Sequence, residues 1–151
     1  MQTFITDFDL EKSAKNLDNK RLGKQRIEAI QIAKILIEGE NYRWKNHPAV
    51  LMWKGYEAFL VKKYIKAILK EWNSREFSNT KSLKDYRRLY RLVFHMEIIK
   101  PDWITAELIK SHRSKLIQKH PDYYKKIWPD IPDNLEYIWP RRISDDKKTD
   151  N

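Results

Sequence analysis

In this chain of 151 residues the side chains best able to do chemistry are concentrated between Leu17 and Gln31, in the run LDNKRLGKQRIEAIQ. Lys20, Arg21, Lys24 and Arg26 crowd successive turns of an expected helix, and a single carboxylate, Glu28, follows them. Residues three, four and seven apart share a helix face, so Arg21, Lys24, Gln25 and Glu28 fall on one stripe. Cations on such a stripe suit a phosphate backbone. The acid repels phosphate and adds nothing to binding, but a carboxylate can shuttle protons and stabilise positive charge developing on a sugar. The alternative for Glu28 is a solvated helix acid paired with Lys24 or Arg21. The combination points to chemistry on a nucleic acid rather than to binding alone.

The formal net charge is +10, which favours polyanionic partners. Six Trp and eight Tyr accompany the cations; rings mixed with cations suit unstacked bases better than lipid headgroups, although rings also fill cores. The absence of cysteine excludes disulfides, thiolate zinc sites and a cysteine nucleophile. The N-terminal residues MQTFITDFDLEK lack a basic n-region and a long apolar h-region, and no apolar run approaches the ~18 residues of a membrane span. The expectation is a soluble intracellular protein, in cytoplasm or nucleoid or in a host cell if the source is viral, with no membrane partner. Glu28, His47, His95 and His112 are possible ligands for a nuclease metal, but no HExxH or paired-acid spacing supports one, so neither metal nor cofactor is expected. No Gly-rich phosphate loop is present. One domain, monomeric by default, is expected at this length.

The elements that must position these residues read as helices. Only three glycines interrupt one helical rhythm after another, so the fold class is all-α. Residues 1–6 form an extended lead. Asp7 or Asp9 caps a helix over Leu10–Asn16, and a long helix runs from Asp18 to Ile37 with Gly39 as its stop. Gly23 lies inside that helix and permits close approach of a neighbouring helix or a phosphate. After a polar and aromatic loop over Asn41–His47, Pro48 opens a second long helix over Ala49–Trp72. A polar connection over Asn73–Lys84 leads to a helix over Asp85–Ile99. Thr105 or Asp102 starts another that ends near Lys119, and a short helix follows Pro121. Residues 1–140 are expected to form the domain and 141–151 a charged, frayed tail.

Three blocks in fixed order, LDNKRLGKQRIEAIQ, HPAVLMWKGYEAFLVKKYIKAILKEW and SHRSKLIQKHPDYYKKIW, resemble the pyrimidine-dimer DNA glycosylase/AP-lyase family, the phage endonuclease V-like enzymes. Together they cover about two fifths of the chain. The start MQTF, with LDNKRLGKQR, NHPAV and SHRS, is most similar to a bacterial branch of that family. The resemblance implies a compact all-α repair enzyme that flips a damaged nucleotide from double-stranded DNA. It further implies glycosidic cleavage by the N-terminal amine through a Schiff base, with β-elimination of the backbone and no metal.

On the resemblance Glu28 takes the place of the catalytic glutamate. Residue 2 is Gln, whose bulk discourages removal of the initiator, so the nucleophile falls to the amine of Met1; an α-amine ordinarily titrates at about 7.7–8.0, leaving a useful neutral fraction near pH 7. Lys20 or Lys24 is the fallback. Lys20, Arg21, Lys24 and Arg26 are assigned to phosphates, although Ile27 stands where the family carries one of its two helix arginines. Asn46 and His47 are assigned to phosphate or base. Ser111, His112 and Arg113 offer donors in a region where the family touches DNA, and Tyr123, Tyr124 and Trp128 match an aromatic cluster that flanks the substrate. The other reading of these residues is a non-catalytic nucleic-acid binder, which differs in needing no Glu28.

Overall fold

The computed structural model describes residues 1–140, and all regular structure among them is helical. The charged tail expected at 141–151 lies outside the described residues. Helix α1 spans Leu10–Lys15, and Asp9 caps it by accepting from the amides of Glu11 and Lys12. Helix α2, Asn19–Glu38, is the central rod; it ends at Gly39, whose φ of 70° is the left-handed stop that glycine takes at no steric cost. A short 3₁₀ turn, Tyr42–Trp44, occupies the polar loop. Helix α3 is only Pro48–Leu51.

The second long helix is therefore broken where one continuous rod was expected. Gly55 takes φ 88°, and the turn it makes drops Trp53 into the core, where the ring is fully buried and meets Trp103 edge-on at 4.9 Å. The chain then resumes as one rod, α4 (residues 57–74), with α-helical ends Glu57–Phe59 and Lys66–Ser74 around a π-helical stretch Leu60–Ile65. An apolar period cannot distinguish a π-turn from an α-turn over so few residues, and such stretches recur at functional sites. Helix α5 is Thr80–Leu92, starting earlier and ending sooner than the rhythm implied; Phe94, Met96, Ile98 and Ile99, which follow its end, are exposed. Helix α6, Ala106–Lys119, is capped by the Thr105 hydroxyl, which accepts from Leu108 N–H at 3.2 Å. Helix α7 is Pro121–Ile127.

Helix α2 packs against α3, α4 and α5, α1 lies on α4, and α6 pairs with α7. The core gathers Leu22, Ile32 and Ala33 of α2, Leu60, Tyr64, Ile65 and Ile68 of α4, Leu89 of α5 and Leu116 and Ile117 of α6. Gly23 serves close packing, since a Cβ there would lie 3.2 Å from the Trp72 ring of α4. No helix among the described residues is long and apolar enough to cross a membrane.

Candidate active site in a basic cleft

Residues 1–6 are extended but have no neighbouring strand, so their amide groups must be satisfied in another way. Side chains from three helices do it. Gln2 N–H points at Glu28 Oε2 (3.4 Å), Phe4 N–H donates to Gln25 Oε1 (3.1 Å), Ile5 N–H to His112 Nδ1 (3.0 Å) and Thr6 N–H to Ser13 Oγ (2.8 Å). Gln25 also donates to the Gln2 carbonyl at 2.9 Å. The Thr3 hydroxyl accepts from Trp53 Nε1 at 3.1 Å, and Tyr137 donates to the Thr3 carbonyl. Arg113 Nε donates to the Thr6 carbonyl at 2.8 Å. The chain terminus is thus bolted, residue by residue, to the polar edge of α2.

That attachment decides where the first amine lies. Met1, Gln2 and Phe4 line an open cleft of about 440 Å³ together with Lys20, Arg21, Lys24, Gln25 and Glu28 of α2, His47 before α3, Lys119 at the end of α6, and Trp139. The stripe expected on α2 therefore faces the N-terminus. Among the described residues Lys20, Lys24 and Lys119 have no carboxylate partner, and Arg21 is paired with Asp18 at 3.3 Å. Desolvation and the charges of Lys24, Arg21 and Lys115 lower the pKa of Lys119, and Glu28 opposes them. His47 Nδ1 accepts from Ala49 N–H at 3.0 Å, which caps α3 and leaves the ring proton on Nε2. Burial, then the N-terminal ammonium, lower the His47 pKa, so the ring stays neutral at pH 7. Its ring meets Trp139 edge-on at 6.1 Å.

The remaining expected contacts lie elsewhere. Arg26 turns to the opposite side of α2, bonding Ser82 of α5 and stacking over Trp72 at 4.5 Å, because five residues from Arg21 is well off the stripe. Asn46 lines a separate hollow with Tyr42, Lys45 and Lys54. Ser111 and His112 are buried and face inward: the Ser111 hydroxyl donates to Leu108 O at 2.7 Å, and His112 stacks on Tyr137 at 4.2 Å while holding Ile5. Arg113 is half-buried, bridging Thr6 and Asp7 and lying 5.2 Å over Trp128. Tyr124 and Trp128 are core residues stacked at 5.5 Å; the Tyr124 hydroxyl accepts from Asp18 N–H and donates to the Asp18 carboxylate, fixing the start of α2. These buried donors and rings are engaged inside the protein: His112 holds the N-terminal segment, Tyr124 the start of α2, and Ser111 also accepts from Ile138 N–H at 3.2 Å. Tyr123 is exposed and stacks on His120.

Gln25, Lys119 and Trp139 complete the cleft and escaped sequence reasoning. Gln25 was visible on the stripe but carried no role, and only the tertiary fold brings residues 119 and 139 to residue 28. Among the described residues no three His, Asp or Glu side chains form a group able to hold a metal ion.

Burial of His112 gives a measurable consequence. Its pKa is lowered from 6.5 to about 3 by desolvation, so the unfolded chain binds a proton that the folded one refuses. Stability is complete above about pH 6.5 and is lost as pH falls toward 3, at up to about 1.4 kcal/mol per unit. Urea unfolding should show a loss on the order of 2–3 kcal/mol between pH 7 and pH 4.5 from this group, and His112→Gln, less stable at pH 7, should lose that much less over the same interval.

No curated protein matches the chain, and no solved structure does. The family model for pyrimidine dimer DNA glycosylase matches residues 1–85, a stretch that contains the bolted N-terminus, all of α2 with Glu28, and His47. Matched over more than half of its length, and presenting its first residues and Glu28 in a cationic cleft, the chain belongs to the pyrimidine dimer DNA glycosylase family.

Proposed function

We propose that this protein is a DNA glycosylase and abasic-site lyase that attacks damaged double-stranded DNA with its N-terminal amine, Glu28 acting as the proton-handling carboxylate. The observation that carries the reading is the pinning of Gln2 against Glu28 inside a cleft lined by Lys20, Arg21, Lys24 and Lys119. An extended terminus without a sheet would otherwise fray; here several side chains hold Met1 and Gln2 in the cleft that Glu28 also lines.

The steps follow from those groups. The cations take the phosphates on either side of the lesion, and the damaged nucleotide leaves the stack for the cleft, beside Trp139 and neutral His47. The neutral Met1 amine forms a bond to C1′ as the glycosidic bond breaks, and the base departs with the bonding electrons. Glu28 stabilises the positive charge at C1′. Opening of the sugar ring, with the amine proton passing through Glu28 to O4′, gives a protonated imine between Met1 and C1′. Removal of a C2′ proton then expels the 3′ phosphate by β-elimination, and water hydrolyses the imine to free the amine. No step needs an oxidant, reductant or metal.

Binding is then strongly salt-dependent. Four cleft cations on phosphates give a slope of log affinity against log salt of roughly −3 to −4, and Lys24→Ala makes the slope shallower by about one. Fluorescence anisotropy of an abasic-site duplex over a salt series measures both. The reading itself is tested by nicking of ultraviolet-irradiated plasmid DNA in EDTA: cutting of irradiated but not untreated plasmid supports it, and no cutting of either overturns it.

A further inference from the structure

The cleft does not use up the basic surface. Along α4, Lys62, Lys66 and Lys70 recur at four-residue steps, about 6 Å apart along the axis, with Lys63 beside them. Tyr64, two residues from Lys62 and Lys66, is fully buried and reaches Gln25 and Phe4 beneath the cleft. Two residues are roughly half a helical turn, so the lysines face away from the cleft.

On the neighbouring α5 a row of rings faces them. Tyr86 and Tyr90 lie 5.9 Å apart, and Phe94, just past the helix end and 58% exposed, lies 6.2 Å beyond Tyr90. Lys62 Nζ is within 6 Å of both the Tyr90 and Phe94 rings, at 5.6 and 5.7 Å, and donates to the carbonyls of Phe94 and Met96. Lys66, Tyr86, Arg87, Tyr90 and Arg91 line an open groove of about 400 Å³. Among the described residues Lys63, Lys66, Arg87 and Arg91 have no carboxylate partner; Lys70 is paired with Glu11 at 2.8 Å, and Asp9 and Glu11 bound that end of the lysine row.

We propose that this α4–α5 face is a second nucleic-acid site, separate from the cleft, that takes a single strand with its bases on the Tyr86–Tyr90–Phe94 row and its phosphates on Lys66, Arg87 and Arg91. Aromatic rings edged on both sides by unpaired cations are what a flexible strand requires, because every base has a stacking face and every link a charge. Tyr86 and Tyr90 pack against the core on one side and line the groove on the other, and Phe94 is exposed; an acidic protein partner has no use for stacking platforms in a row. Bound there, a strand lies on the far side of α4 from the damaged duplex, so one chain holds both.

The test is anisotropy of a labelled oligothymidylate with the wild-type protein, alone and after saturation with an abasic-site duplex. The strand is expected to bind in both cases. Arg87→Glu/Arg91→Glu, both exposed, should weaken it at least tenfold without altering plasmid nicking, and Lys66→Glu on the facing helix should weaken it in the same direction. Lys24→Glu in the cleft should leave strand binding intact. Competition between duplex and strand, loss of strand binding only in Lys24→Glu, or no strand binding at all would overturn the proposal. Strand binding without plasmid nicking would leave this site standing and remove the lyase reading instead.

Discussion

Glu28→Gln is expected to lower strand cutting about 10²–10⁴-fold while leaving duplex binding unchanged or tighter. The range is the usual contribution of a positioned acid–base group. Tighter binding follows because the substitution removes the acid among Lys20, Arg21, Lys24 and Lys119 that a phosphate backbone repels. The variant should fold normally: Glu28 is half-buried, its bonds to Gln2 N–H (3.4 Å) and Gln25 Nε2 (3.5 Å) are long, and the Gln side-chain oxygen can still accept from either. Single-turnover nicking and anisotropy on the same duplex separate chemistry from affinity. A variant that cuts at the wild-type rate would make Glu28 an ordinary surface acid and favour a protein that only binds nucleic acid.

The second large effect belongs to a residue that touches no substrate. Gln25 is fully buried, and its one amide meets Phe4 N–H, the Gln2 carbonyl and the Tyr64 hydroxyl. Tyr64 lies 2.7 Å from Gln25 Oε1, and burial raises its pKa far above the ordinary phenol value, so it remains a donor at every working pH. Gln25→Met keeps the volume but leaves the Phe4 N–H and the Gln2 carbonyl without partners. At about 1–3 kcal/mol for each buried unsatisfied group, the loss of stability is about 2–6 kcal/mol. The N-terminus also loses its register against Glu28, and a misplacement of about 1 Å can cost on the order of 10² in rate. Denaturation and nicking therefore fall together in Gln25→Met, whereas Glu28→Gln affects nicking alone.

How far the sequence foretold this site depends on which kind of contact is asked for. The stripe Arg21–Lys24–Gln25–Glu28 was legible because helix periodicity is local, and the Asp9 and Thr105 caps and the Gly39 stop were legible because capping is local too. The inward position of His112 was hidden for the opposite reason. A polar block reads as a surface donor set unless one knows that an unpaired extended segment runs beside it and must have its amides satisfied from residues more than 100 positions away. Arg26, off that stripe, was assigned to phosphate on its charge alone, and its place beside Ser82 and Trp72 depends on how α4 and α5 pack. Lys119 and Trp139 enter the cleft through α6 and the C-terminal chain, which no pattern within α2 can show. The break at Gly55 was open to inspection, yet a positive φ there follows from the need to bury Trp53, a tertiary demand.

The most direct test of the central claim is borohydride trapping on a duplex that carries one abasic site, in EDTA, followed by peptide mapping of the adduct. The account predicts a covalent protein–DNA complex linked through the N-terminal peptide at the α-amine of Met1, and less of it with Glu28→Gln. A link to Lys20, Lys24 or Lys119 would contradict the assignment of the nucleophile, and the absence of any adduct while the duplex remains bound would contradict the imine chemistry itself.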